Sequence, residues 1–333
     1  MSFLFKALIF CVFVISANSQ ENQSKLTHEN QLISDISTTL NSSASDSEKL
    51  ENIKQQLLNK QQTQNDQNSK YHFNLMTHHE NFLLFGGHSS SNLTQKHWDA
   101  NGNRDYNNEY TRDTNEAQFQ ISFKIPLVEN IFNDQTDLFV AYTQNSFWQV
   151  YDDEHSSPFR ETNYMPEIFL QWQPDMKIST SILKEIQLSL IHQSNGQSIG
   201  ASRSWNRAQV NMLLQRQNLF YGVELWERFK ENQKSSPSEA RGDDNPNLEH
   251  YIGKQKYFIK YEADQYKITL AHQNDLFNYS TSRGNTKLDF VFPSMNSHFD
   301  FFIRYFHGYG ESLIDYDVKI NRISFGIILA NWN

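Results

Sequence analysis

From about residue 80 onward the apolar residues of this chain recur at every second position, and no sustained 3.6-residue stripe competes with that pattern. Phe119, Ile121, Phe123 and Ile125 are separated by Gln120, Ser122 and Lys124. Ile186, Leu188 and Leu190 are separated by Gln187 and Ser189, and Ala208, Val210 and Met212 by Gln209 and Asn211. A β-strand turns successive side chains to opposite faces, so each run reads as a strand with one apolar and one polar face. Twelve such runs fall near 80–87, 116–127, 137–150, 163–173, 183–194, 204–216, 219–230, 250–262, 265–274, 285–293, 297–307 and 319–332. Most exceed the roughly five or six residues usual for globular strands. The connections are long after the first, third, seventh, ninth and eleventh runs and short after the sixth, eighth and tenth.

Taken as an average, composition reads as that of an acidic, soluble protein. The 333 residues have a net charge of −9 and a mean hydropathy of −0.69. The acidic balance excludes nucleic-acid binding, which needs clustered Lys and Arg to displace counterions. Hydropathy averages, however, detect apolar helices, not thin apolar belts. Here 25 Phe, 15 Tyr and 6 Trp accompany only 12 Gly, as expected of a belt with aromatic girdles. The polar faces carry Glu167, Arg207 and many Gln, which suits a hydrogen-bonded lumen better than the apolar interior of a soluble sandwich or lipocalin-like barrel. In lipid a sheet must close so that every backbone group is paired. The expected fold is therefore all-β, a twelve-stranded antiparallel transmembrane β-barrel, with a disordered or partly helical N-terminal extension.

Residues 1–19 have Lys6, an apolar run from Ala7 to Ile15, and then Ala17, Asn18 and Ser19, the layout of a cleaved signal peptide. Its run is too short to span a bilayer as a helix. The single cysteine, Cys11, lies inside it, so the exported chain is expected to have no thiol chemistry. Residues 20–70 are rich in Gln, Asn and Ser and read as a polar, mostly disordered extension. Leu50, Ile53, Leu57 and Leu58, behind a Ser45 to Glu48 capping pattern, suggest a short amphipathic helix, either transient or a small coiled-coil contact. The barrel domain is expected over 71–333.

One hairpin carries candidate chemistry. His192 and Ser194 share the even face with Leu188 and Leu190, and Asn206 shares it with Ala208 and Val210. Polar groups on a face meant for hydrocarbon are costly and point to function. A turn about Ile199 makes pairing partners sum to 398, which sets His192 opposite Asn206 with Cβ atoms ~5 Å apart. Ser194 as nucleophile, His192 as base and Asn206 as orienting amide would then form a hydrolytic relay. Polar residues at a barrel rim are the plainer reading of the same three positions.

The segment His192-Gln193-Ser194-Asn195-Gly196, followed by Ser202-Arg203-Ser204-Trp205-Asn206-Arg207, resembles the active-site hairpin of the outer membrane phospholipase A family. The resemblance extends to Tyr142-Thr143-Gln144, to Ser156-Ser157-Pro158-Phe159-Arg160-Glu161-Thr162-Asn163-Tyr164, to Asp243-Asp244-Asn245-Pro246, and to the stretch from Gly308 to Tyr316. It implies a dimeric, calcium-dependent barrel that hydrolyses phospholipid acyl esters. Carried over by position, it implies Ser194 as nucleophile, His192 as base, Asn206 as orienting amide and Gly196 as a backbone donor to the oxyanion hole. It further implies Ca2+ ligands at Ser202 (hydroxyl), Gln197 (carbonyl) and, from the other subunit, Ser156 (carbonyl), and a dimer-interface role for Gln144. Gln197 stands where a basic residue is usual, and the chain ends in Trp332-Asn333 where such barrels usually end in Phe.

With both termini periplasmic, odd-numbered connections face outward, so all these groups gather at the outer-leaflet rim. The expectation is a bacterial outer-membrane phospholipase A1/A2 that cleaves sn-1 and sn-2 esters of outer-leaflet phospholipid and is activated by homodimerisation. The rivals are a non-catalytic porin-like or structural barrel and a lipopolysaccharide deacylase.

Overall fold

The computed structural model describes residues 75–329 except 92, 100, 133–134, 199, 237, 240, 277–281 and 295–298. The expected signal peptide, the extension with its Leu50 to Leu58 patch, Ile199 and the terminal Trp332-Asn333 lie outside the described residues.

Among the described residues twelve long strands follow one another: β1 (Phe82–Ser89), β2 (Asn115–Val128), β3 (Thr136–Trp148), β4 (Phe159–Trp172), β5 (Ser181–Ser194), β6 (Ser204–Arg216), β7 (Leu219–Arg228), β8 (Gln255–Ala263), β9 (Tyr266–Asn274), β10 (Asn285–Phe292), β11 (Phe299–Gly308) and β12 (Ile320–Leu329). Each pairs antiparallel with its neighbours in sequence, and β12 returns to pair with β1. The sheet is closed and has no free edge, which satisfies the backbone without water.

The two faces have the inverse polarity of a soluble barrel. Leu190 (55% exposed), Phe301 (54%), Ile323 (57%) and Phe325 (56%) point outward, and a continuous band of such side chains is tolerated in hydrocarbon, not in water. Inside lie Gln118, Ser122, Thr143, Glu167, Gln171, Gln187, Arg207 and Gln209, all buried. A cavity of about 670 Å³ remains among these polar groups.

The expected eighth run begins too early, at 250. Residues Leu248–Ile252 form a short helix, α1, and Gly253, at φ +71°, donates its N–H to Glu249 O and ends it. Leu248 and Ile252, four apart on one helical face, are buried with Trp205, Trp226 and Leu313. That contact overrides the alternation read from sequence, and the strand starts only at Gln255. The fourth strand conversely begins four residues before the expected 163, at Phe159.

The odd-numbered connections meet at one end. Arg112 of the first bonds Asp315 of the eleventh through Nη1 to Oδ2 at 2.9 Å and Nη2 to Oδ1 at 3.1 Å. Tyr110 of the first stacks on His155 of the third with ring centroids 3.6 Å apart. Ser202 of the fifth donates to Asp244 of the seventh at 2.8 Å. The rim that carries the candidate site is thus a packed cap. Burial alone would raise the Asp315 carboxyl, but Arg112 and Arg160 outweigh it and hold the group well below the usual carboxylate range.

Candidate active site

The β5–β6 ladder sets His192 directly opposite Asn206 and Ser194 opposite Ser204. The register is the one expected from a sum of 398, although Ile199 itself is not described. His192 Nδ1 lies 2.8 Å from Asn206 Oδ1. Because an amide oxygen only accepts, this pairing makes Nδ1 the protonated nitrogen of a neutral ring and leaves Nε2 as the base. The His192 side chain is on the exposed outer face, two residues beyond Leu190. Ser194 lies two residues further on that face, and among the described residues its hydroxyl has no hydrogen-bond partner. The Ser194 to His192 bond expected of the relay is therefore not formed in this state.

A group behind Asn206 escaped the sequence reading. Asn206 Nδ2 donates to Glu231 Oε1 at 3.2 Å, just past the point where Phe229 N extends the ladder to Asn206 O at 2.8 Å. The carboxylate fixes which end of the amide faces His192. No local signal reveals this, because Glu231 is 25 residues away in the β7 exit.

The hairpin turn is held by Asn195, whose role the motif did not disclose. Its Oδ1 accepts from Arg203 N at 2.9 Å and Gln197 N at 3.3 Å, and its Nδ2 donates to Ala201 O at 3.0 Å. Nδ2 also reaches Glu161 Oε2 at 3.4 Å, and Glu161 Oε1 accepts from Ile314 N at 3.0 Å in the eleventh connection. The turn is therefore fastened to the cap. Gly196 stands here at φ +63°, and a Cβ there would come within 3.0 Å of the Tyr164 ring. Both features favour glycine at this position.

Ser202 Oγ bonds Asp244, whose other oxygen is ion-paired with Lys234. Gln197 is exposed on the turn, and Ser156 is exposed in the loop between β3 and β4, at φ +61°. No hydrogen bond within the chain joins Ser156 to Gln197 or Ser202. Gln144 lies in one cross-strand row with Tyr164, Ser194 and Ser204. Two strand spacings of ~4.8 Å put it about 10 Å from Ser194. Its amide accepts from Tyr142 OH at 3.2 Å and donates to Ser146 Oγ at 3.2 Å, a polar strip on an apolar face.

The Phospholipase A1 family model matches residues 58–329. The chain belongs to the phospholipase A1 family. Among relatives, phospholipase A1 of Proteus vulgaris is 32% identical over 260 residues, 77% of this chain and 82% of that one. A structure of outer membrane phospholipase A from Escherichia coli superposes with a TM-score of 0.66 at 29% identity, covering 78% of this chain and 100% of that chain. A structure of the Salmonella typhi outer membrane phospholipase dimer with bound calcium superposes with a TM-score of 0.65 at 28% identity, covering 78% and 94%. The family match spans the whole described barrel, including the hairpin, the cap and the Gln144 strip.

Proposed function

We propose that this protein is a calcium-dependent phospholipase of the outer membrane, hydrolysing sn-1 and sn-2 acyl esters by a Ser-His-Asn mechanism and activated by dimerisation. Family membership makes it a phospholipase barrel; the mechanism is the finer reading. The observation that carries it is the 2.8 Å pairing of His192 with Asn206 on the outer face, two residues from Ser194, whose hydroxyl has no partner among the described residues.

In this mechanism Ser194 Oγ attacks the ester carbonyl while His192 Nε2 takes its proton, and Asn206, held by Glu231, stabilises the tautomer and then the imidazolium. The oxyanion accepts from the Gly196 N–H. Collapse breaks the acyl C–O bond, His192 returns its proton to the departing lysophospholipid, and water then cleaves the acyl-serine by the same route. The donors available for a cation are a serine hydroxyl, a carboxylate and exposed backbone carbonyls, without thiol or imidazole. Such an all-oxygen set fits Ca2+. Ser202 and Gln197 would hold it in one protomer and Ser156 of a second would complete it, with Asp244 supplying charge once Lys234 gives way. When bound, the cation supplies positive charge beside the developing oxyanion.

The address of the site supports dimerisation. The nucleophile and the Gln144 strip both face lipid, where polar groups are costly unless a second barrel covers them. The expected signal peptide and the 20–70 extension remain part of this proposal as an export signal and a periplasmic tail.

The decisive assay is fatty-acid release from phospholipid vesicles and from lipopolysaccharide by the purified barrel. Release from phospholipid only is expected; deacylation of lipopolysaccharide alone, or ion conduction without hydrolysis, would support the rival readings. Chelation of calcium is expected to lower the rate by about 10²- to 10³-fold, the usual worth of an oxyanion stabiliser, with recovery on adding Ca2+ and not Mg2+. Asn206→Ala is expected to lower kcat about 10²-fold with little change in KM, because the tautomer is then no longer fixed. Steady-state kinetics on mixed micelles measures it.

A further inference from the structure

The ladder between β1 and β2 breaks at its periplasmic end. Phe82 pairs with Gln120, whereas Met76 pairs with Lys124, so two extra residues are inserted on the β1 side. Asn81 closes the gap: its Oδ1 accepts from Ser122 N at 2.6 Å and its Nδ2 donates to Ser122 O at 3.0 Å. Bulges re-aim side chains and cluster next to functional sites. This one turns His78 and His79 into the lumen, where both line the polar cavity opposite Glu167 of β4.

We infer that His78, His79 and Glu167 form a binding site for a first-row transition-metal dication of the Zn2+ class. One ligand atom from each lies within 4.8 Å of the others. His78 Nε2 and Glu167 Oε1 are 3.1 Å apart, and their side chains are only 5% and 3% exposed. Two imidazoles and a carboxylate are the donor set of open three-ligand zinc sites, in which water completes the sphere. That set differs from the all-oxygen rim site and lies on the lumen face of the wall, where Glu167 pairs with Ile191, the neighbour of the outward-facing His192.

The surroundings hold these donors as a metal site requires. The His78 ring stacks on Phe169 at 5.0 Å and 18°, which fixes its plane. Gln187 Nε2 donates to Glu167 Oε1 at 2.7 Å, the kind of outer contact that orients a ligating carboxylate. The second oxygen, Oε2, has no hydrogen bond among the described residues. The His79 ring likewise has none and points into the water-accessible cavity. Of the cations lining the same cavity, Lys256 pairs with Glu224 at 2.6 Å and Lys287 with Asp289 at 3.3 Å, whereas Arg207 bonds the neutral Gln209, Gln193 and Met165 rather than the metal donors. A bound ion would tie the segment before β1 to β4, three strands away around the barrel.

The test is titration of the full detergent-solubilised chain with ZnCl2 in the presence of saturating Ca2+, followed by Co2+ substitution read by visible absorption. One equivalent is expected, with a raised thermal midpoint and a Co2+ d–d spectrum. His79→Ala, which removes no hydrogen bond, is expected to weaken that equivalent at least about tenfold and to abolish the thermal shift. Glu167→Gln is expected to do the same, and His192→Ala to leave it intact. Unchanged zinc affinity in His79→Ala, loss of the equivalent in His192→Ala, or no binding by the parent chain would overturn the proposal. Folding of each variant is followed independently by heat-modifiable migration of the barrel on gels.

Discussion

A Ser194→Ala barrel is expected to release no fatty acid above the uncatalysed background, a loss of at least about 10⁴-fold in kcat. The magnitude follows from what remains. His192, Asn206, Glu231 and Gly196 still form the pocket, but no group is left to make the acyl-enzyme, and residues acting as one unit lose nearly all their worth when one is removed. The structural cost is small. Ser194 is half-buried and its hydroxyl has no partner among the described residues, so its removal orphans nothing and cuts no ladder bond. The experiment compares fatty-acid release from phospholipid vesicles at saturating Ca2+, with heat-modifiable migration as the control for folding. Activity within about tenfold of the parent would refute Ser194 as the nucleophile and shift attention to a water activated by His192.

The same serine shows what a sequence of this kind discloses. Alternation gave all twelve strands and, through parity, the face on which His192, Ser194 and Asn206 stand, because strand period and closure are local rules repeated twelve times. A single hairpin sum then gave the His192–Asn206 pair, later found at 2.8 Å. What stayed hidden depends on closure. Glu231 behind Asn206, the Glu161 to Asn195 brace under the turn, and α1 packing its Leu248 and Ile252 on Trp205 and Trp226 all involve partners on strands or loops distant in sequence. The apolar spacing of Tyr251, Tyr257, Ile259 and Tyr261 does not announce that the first of these belongs to a helical cap. Likewise nothing in the alternation singles out His78 and His79, which the two-residue insertion against β2 brings to the cavity lined by Glu167.

Glu116→Ala is expected to destabilise the barrel by about 3–5 kcal/mol, the usual consequence of removing one partner from a buried ionic network. Glu116 is fully buried, accepts from Arg160 Nε at 2.9 Å and Nη2 at 2.7 Å and from Gln149 Nε2 at 2.7 Å, and is ion-paired with Arg322 Nη2 at 2.7 Å. Arg160 also donates to Asp315 at 2.9 Å, and Arg322 to Glu311 at 2.9 Å. The chain Arg112–Asp315–Arg160–Glu116–Arg322–Glu311 is therefore neutral overall, three cations against three anions. Deleting its central carboxylate leaves two guanidinium groups competing for the outer acids, at a depth where water cannot replace it. Denaturant unfolding of vesicle-reconstituted barrels, followed by tryptophan fluorescence, measures the loss. Arg160→Ala alone should cost a similar amount, and the double variant should cost less than the sum by at least about 1 kcal/mol, because the second deletion removes a charge already orphaned. Additivity within about 0.5 kcal/mol would show that the charges do not act as one network. The pH profile supplies an independent sign. The Asp315 carboxyl is held well below its ordinary range, so its contribution is complete above an unfolded value of about 3.9 and is lost only as the pH falls through the lower folded one. Stability of the parent barrel should therefore hold from neutral pH to about pH 4 in so far as this group governs it. Asp315→Asn, in contrast, should be less stable than the parent at neutral pH and should lose that difference in strong acid.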